Sequence, residues 1–149
     1  MKYKTKITDS EILKKWLKFY LLTDALSLIG ITLGGSFKNF YVIDHISMTL
    51  FLAPIFETII VQLPLVAGLI KLKLKPIWII LLTSVIFSFL HIFSWGIMGV
   101  IALFYPLTMM TWCFYFFYTR CNWMIAFFTT TIIHMIFNLT ALYCSTMIG

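Results

Sequence analysis

The stretch APIFETIIVQLP, residues 53–64, decides how this chain is interpreted. It is an apolar run that contains Glu57, and no other glutamate occurs beyond residue 11. An ionised carboxylate at the centre of a membrane helix costs about 2.5–3.5 kcal/mol or more, so such a group persists only if it is paired, protonated or used. Glu57 is therefore a candidate functional residue whose partners should lie on other helices.

The composition predicts an integral membrane protein. Of the 149 residues, 62% are hydrophobic and only 11% are charged, and the mean hydropathy is +1.01. Soluble domains are usually about 45–50% apolar and about 25% charged. At about 20 residues for each spanning helix, the chain can hold five or six helices and no separate soluble domain. The predicted fold is all-α, a polytopic bundle of about five transmembrane helices in the lipid bilayer.

The apolar segments form a single transmembrane domain, residues 16–149, after a basic lead at residues 1–15. Pro54 suits the first turn of a helix, and Pro64 is expected to kink it. Residues 43–52 are predicted to be a lead-in to the second span or an interfacial piece. Asp24 and His45 are interpreted as structural polar residues. The predicted spans are 16–37, about 53–70, 76–94, 96–118 and 123–145.

The basic residues indicate how the helices are oriented. Cytoplasmic segments of membrane proteins carry an excess of lysine and arginine. With five spans and the N-terminus inside, ten basic residues lie on the inner side and only Lys38 on the outer side. The net charge of +6 is thus a signal of topology, and no nucleic-acid partner is predicted. We expect a multi-pass protein of the cell membrane with a cytoplasmic N-terminus.

Three polar residues in later apolar segments are candidate partners of Glu57: His91, His134 and Asn138. Phe87 and His91 are four residues apart, as are His134 and Asn138, so each pair shares one helix face. A lone histidine in a span is more often structural, but a glutamate, two histidines and an asparagine on three apolar helices form a stronger combination. Such ionisable residues within a membrane are functional candidates by default.

This set of residues can activate water. Glu57 would be the general base, His91 would position the water or the scissile carbonyl, and His134 with Asn138 would stabilise an oxyanion. The same glutamate and histidines could instead hold a divalent metal such as zinc, which would make the site metalloendopeptidase-like. No cofactor is firmly predicted, because a single carboxylate cannot easily be both a zinc ligand and a base.

The order and spacing of these residues resemble the CPBP family, also called Abi, of CAAX proteases and bacteriocin-processing enzymes. Family members carry an EExxxR motif, then FxxxH, then HxxxN or HxxxD. The counterparts here are the segment Glu57 to Gln62, Phe87 with His91, and His134 with Asn138, and the resemblance covers about residues 50–145. It implies an all-helical intramembrane endopeptidase, a hydrolase acting on a peptide or protein substrate.

The first motif departs from the family pattern. Thr58 stands where the family has its second glutamate, and Gln62 stands where it has arginine. Both positions have become neutral together, and losing only one partner would leave a costly buried charge. We therefore expect Thr58 and Gln62 to form a hydrogen bond across one helical turn and to support Glu57, with Phe87 as a further supporting residue.

Three functions remain open from the sequence. The first is an endopeptidase that uses water activated by glutamate to cleave a membrane-associated or exported peptide. The second is a non-catalytic membrane protein of the same fold, such as a bacteriocin self-immunity factor or scaffold, in which the polar residues hold helices together. The third is a small transporter or proton relay, although no repeated pair of broken helices supports it.

Overall fold

The computed structural model describes residues 48–148, without the side chains of residues 94, 95 and 144–148, and a few residues nearer the N-terminus. Those residues are helical, and they are residues 10, 11, 14, 15, 17–19, 21, 22 and 25. Most of the predicted first span lies outside the described residues. So do the loop at 38–44, Asp24 and His45.

The first fully described helix, α1, runs from Met48 to Lys71 and alternates between two kinds of helical turn. Met48–Leu52 and Glu57–Gln62 are π-helical, whereas Ala53–Phe56 and Leu63–Lys71 are α-helical. Each π-helical segment is followed within two residues by a proline, Pro54 or Pro64. A proline cannot donate to the carbonyl four residues earlier and its ring clashes with that carbonyl. The wider π turn relieves this conflict. The described part of the lead-in therefore continues into the second span.

The second helix, α2, is Pro76–Leu90. Lys75 before it is extended, as expected of a residue that precedes proline. The prediction that this span reaches Ser94 is wrong, because the chain leaves the helical conformation at His91, with φ −90° and ψ 1°. At 15 residues, α2 is only about 22 Å long, which is shorter than the hydrocarbon core of a bilayer. His91 therefore lies at a break between helices.

The third helix, α3, spans Ile92–Arg120 and is broken at Gly96, where φ is 64° and ψ is −178°. This combination of angles is essentially restricted to glycine. The long apolar part of α3, Gly96–Arg120, begins at the residue that the sequence predicts. The fourth helix, α4, is Trp123–Ile148, three residues longer at its end than predicted. Asn122 caps it by accepting a 2.9 Å hydrogen bond from the Ile125 amide.

The four helices form one bundle in which α3 packs against α2 and α4, while α1 packs mainly against α2 and α4. Its core is apolar and aromatic, with Phe87, Met110, Phe114, Phe117 and Ile133 almost completely buried. Among the described residues, three helical stretches are long and apolar enough to span a membrane: Met48–Lys71, Gly96–Arg120 and Trp123–Tyr143. No strand occurs among the described residues. The prediction of an all-helical membrane bundle is confirmed.

Candidate active site

Glu57 lies at the start of the second π-helical segment of α1 and faces two histidines from other parts of the bundle. Its Oε1 atom is 3.6 Å from Nε2 of His91, and its Oε2 atom is 3.5 Å from Nε2 of His134. Oε2 is buried and makes no hydrogen bond to any described residue. The carboxylate thus lies at ion-pair distance from both imidazoles, yet neither distance is short enough for a strong hydrogen bond.

The break after α2 orients the His91 ring. Its Nδ1 atom is 2.9 Å from the carbonyl oxygen of Phe87, one turn earlier. A carbonyl can only accept, so Nδ1 carries the proton and donates it. In the neutral ring, Nε2 is then an acceptor facing Glu57. This backbone bond sets the tautomer of His91 and directs its second nitrogen into the site.

His134 comes from the middle of α4 and is almost completely buried. Phe87 packs against both imidazoles: its ring centroid is 5.5 Å from that of His91 and 6.2 Å from that of His134. The Phe87 side chain is itself 1% exposed. One aromatic ring, held in the core, thus limits the orientations available to both histidines.

Asn138 lies one turn after His134 on the same helix, as the four-residue spacing predicts. Its Nδ2 atom donates a 2.8 Å hydrogen bond to the carbonyl of Thr49, in the first π-helical segment of α1. This bond joins the start of α1 to α4. An asparagine amide carries two N–H donors, and this bond uses one of them.

One pocket of about 360 Å³ is lined by all four candidate side chains, Glu57, His91, His134 and Asn138. The pocket lies where the first half of α1 meets α3 and α4, and His91, between α2 and α3, also lines it. The remaining lining is largely apolar: Met48, Thr49, Leu52, Ala53, Phe56, Leu103, Leu107, Phe137 and Ala141. Apolar walls strengthen electrostatic interactions among the few polar groups that they enclose. The structure therefore brings Glu57, His91, His134 and Asn138 to one place.

The predicted hydrogen bond between Thr58 and Gln62 is wrong. Both side chains are buried, at 0% and 1% exposure, but Gln62 Nε2 donates across the bundle to Oγ1 of Thr111 on α3, at 3.4 Å. The Thr58 hydroxyl oxygen has no hydrogen-bond partner among the described residues. The long glutamine side chain reaches a neighbouring helix, so an interhelical bond replaces the expected bond within one turn.

The described residues do not offer a metal centre. They include no group of three histidine, cysteine, aspartate or glutamate side chains that could hold a metal ion. Glu57 Oε1 and Oε2 each face a different imidazole, at 3.6 and 3.5 Å from its Nε2 atom. The zinc alternative built on Glu57, His91 and His134 stays a prediction, and the chemistry proposed below uses only side chains.

Several residues of the site were not found from the sequence. Thr49 accepts the Asn138 hydrogen bond through its backbone carbonyl, and a pattern of side chains in the sequence cannot predict such a contact. Leu103, Leu107 and Thr111 follow one another at spacings of four on α3, which places them on one face, but such a stripe is typical of ordinary core packing. Only the fold shows that this face forms a wall of the pocket and then contacts Gln62.

The fold and pocket define a class of protein: a membrane helical bundle that holds a glutamate, two histidines and an asparagine at one partly buried site. A family model described as Rce1-like, type II CAAX prenyl endopeptidase, matches residues 39–140, well over half of the chain. The chain belongs to this family, and the resemblance seen in the motifs is confirmed. It is a family of proteases, so the membership supports a hydrolase at that level. Searches of curated proteins and of solved structures found no match.

Proposed function

We propose that this protein is an intramembrane endopeptidase that hydrolyses a peptide bond with water activated by Glu57. The observation that supports this most directly is the approach of two histidines from separate elements to one partly buried carboxylate, at 3.5 and 3.6 Å. Membership in a protease family supports the same reaction class.

The first step uses Glu57 and His91. In neutral His91, Nε2 and the Glu57 carboxylate are both acceptors, 3.6 Å apart, and one water molecule placed beside them can donate a hydrogen bond to each. Glu57 takes the proton as the water oxygen attacks the scissile carbonyl carbon. The attack forms a C–O bond and places negative charge on the carbonyl oxygen.

The second step stabilises that charge and releases the products. His134 Nε2 and the remaining Asn138 N–H are the donors proposed for the oxyanion. When the C–N bond breaks, Glu57 returns the proton to the departing nitrogen. One new carboxyl group and one new amine result, and the site is restored. Phe87 supports the reaction by holding both imidazoles.

The depth of the site favours a substrate from the outer side of the membrane. Glu57 is 14 residues before Lys71 and His91 is 15 residues after Pro76, so both lie about 21–22 Å from the basic turn at residues 72–75. In a hydrocarbon core about 30 Å thick, that depth falls in the half opposite the turn. With the turn inside, a membrane-associated or exported peptide fits this position better than a cytoplasmic one.

The proposed activity is tested in liposomes that contain the purified protein in one orientation. Apolar peptides are supplied either in the bilayer or from one side, and new amino termini are identified by mass spectrometry. We expect cleavage of peptides that reach the outer half of the bilayer. Failure of every bilayer-embedded and externally added peptide to be cleaved, by protein shown to be folded, would contradict the proposal.

We further propose that the N-terminus is cytoplasmic and that the membrane is the cell membrane. In a cysteine-free background, Lys73→Cys should react with an impermeant thiol reagent only after the cells are opened. Met48→Cys, at the exposed start of α1, should react in intact cells. The reverse pattern would exclude this orientation and with it the outer-side substrate.

The non-catalytic alternative, an immunity factor or scaffold, is not favoured by membership in a protease family. It makes a contrasting prediction for the same variant, because a scaffold does not need a base. Protection against a bacteriocin would then survive Glu57→Gln, a substitution that preserves the shape of the side chain.

A further inference from the structure

The π-helical segment Glu57–Gln62 carries the proposed base at one end and a buried polar anchor at the other. Glu57 begins the segment and Gln62 ends it. The Gln62 amide donates to the hydroxyl of Thr111, which is 0% exposed, on a helix that contributes neither histidine of the site. The direction of Glu57 therefore depends on how this segment is held.

We propose that Gln62 and Thr111 are positioning residues whose interhelical hydrogen bond holds the π-helical segment so that Glu57 points between His91 and His134. This inference rests on the proposed role of Glu57. It gives a cause for the paired loss of charge in the first motif: the neutral glutamine ties the segment that carries Glu57 to a second helix, and Thr58 is not its partner.

The geometry of α3 explains why Thr111 can act on the pocket. Leu103 and Leu107 line the pocket, and Thr111 follows them at the same spacing on the same buried face. A bond from Gln62 to Thr111 therefore sets the position of α1 along the helix that forms the opposite wall. Because α1 packs mainly against α2 and α4, this side-chain link adds a direct tie between α1 and α3.

The π turn makes the position of Glu57 sensitive to that link. A π segment accommodates an additional residue relative to an α-helix, and side chains advance by about 100° for each α-helical residue. A segment that relaxed toward α-helical geometry while Leu63–Lys71 stayed packed would rotate the Glu57 carboxylate away from one or both imidazoles. A misplacement of about 1 Å can cost about 100-fold in rate.

The test compares Thr111→Val, which removes the hydroxyl and keeps the shape, with Thr111→Ser, which keeps the hydroxyl. Thr108→Val is the matched control, because the Thr108 hydroxyl bonds to the Phe104 carbonyl within its own helix. We expect kcat to fall about 10- to 100-fold in Thr111→Val, with KM near its wild-type value. Thr111→Ser and Thr108→Val should stay close to wild type.

A second measurement does not depend on activity. The chain has three histidines, and the ring resonances of His91 and His134 can be assigned by single substitutions and followed by NMR. Thr111→Val and the shape-conserving Gln62→Met should shift both sets of resonances, and the double variant should shift them no further. In a Glu57→Gln background, the shifts caused by Thr111→Val should largely disappear.

These measurements separate the two proposals. Wild-type kcat and wild-type resonances in folded Thr111→Val would overturn the positioning role, even if Glu57 proves essential. If the wild-type protein cleaves no peptide, the proposed function fails, and the histidine resonances alone decide whether Gln62 and Thr111 orient Glu57.

Discussion

Glu57→Gln will lower peptide cleavage by about 10²–10⁴-fold, the range typical of losing a general base. Glutamine has nearly the shape of glutamate, but its amide cannot take a proton from water. The variant should insert and fold normally, because the Oε2 atom of Glu57 makes no hydrogen bond to any described residue. The measurement is kcat/KM in proteoliposomes, with thermal unfolding followed by circular dichroism.

Glu11→Gln is the matched control for this experiment. Glu11 is the only other glutamate of the chain, and its side chain is exposed and lies outside the pocket. The Glu11→Gln variant should cleave peptides at the wild-type rate. Cleavage at an undiminished rate by Glu57→Gln would rule out the general-base role and would turn the site into a structural polar cluster.

His134→Ala will reduce kcat by about 10²–10³-fold, as expected when one oxyanion donor is removed. His134→Gln, which keeps an amide donor in a similar volume, should recover part of that loss. The histidine is 5% exposed, so alanine also leaves space in the core, and unfolding temperatures must be compared. The effect on kcat should exceed any effect on KM, because the donor acts mainly on the transition state.

Thr131→Val provides the control on the same helix. Thr131 is 4% exposed, does not line the pocket, and its hydroxyl oxygen has no hydrogen-bond partner among the described residues. Its replacement should leave cleavage unchanged. A loss of activity in Thr131→Val as large as that in His134→Ala would show that α4 tolerates no substitution, and the donor role would lose its support.

The double variant Glu57→Gln/His134→Ala adds a check on cooperation. Residues that act as one unit have strongly non-additive effects on rate. The double variant should therefore be little worse than the more damaging single variant. Independent, additive losses would mean that the two side chains, although 3.5 Å apart, do not serve the same step.

Much of the candidate site could be predicted because helices repeat regularly. His134 and Asn138 share a face by their spacing of four residues, and both line the pocket. His91 lies one turn after Phe87, and its ring bonds back to the Phe87 carbonyl. The shared helix face of each pair follows from local helical geometry, so a spacing of three or four residues in the sequence is enough to predict it.

The missed features depend on contacts between helices or on departures from α-helical geometry. The π turns at Met48–Leu52 and Glu57–Gln62 change the direction of side chains that an α-helical count would place elsewhere. Gln62 forms its hydrogen bond with Thr111, 49 residues away in the sequence, and not with Thr58, four residues away. No proline or glycine in the sequence signals the end of α2 at Leu90, because the nearest glycine is Gly96.

The amino-acid sequence by itself determined the class of protein and the chemical groups available to it. Its apolar runs are too long and too poor in charge for a soluble core, and a carboxylate within them had to be matched by polar groups elsewhere. The tertiary structure alone decided which atoms meet: both imidazoles at Glu57, Asn138 at the Thr49 carbonyl, and Gln62 at Thr111. The physical reason is that one helix specifies only its own faces, whereas the packing of four helices selects the faces that come together.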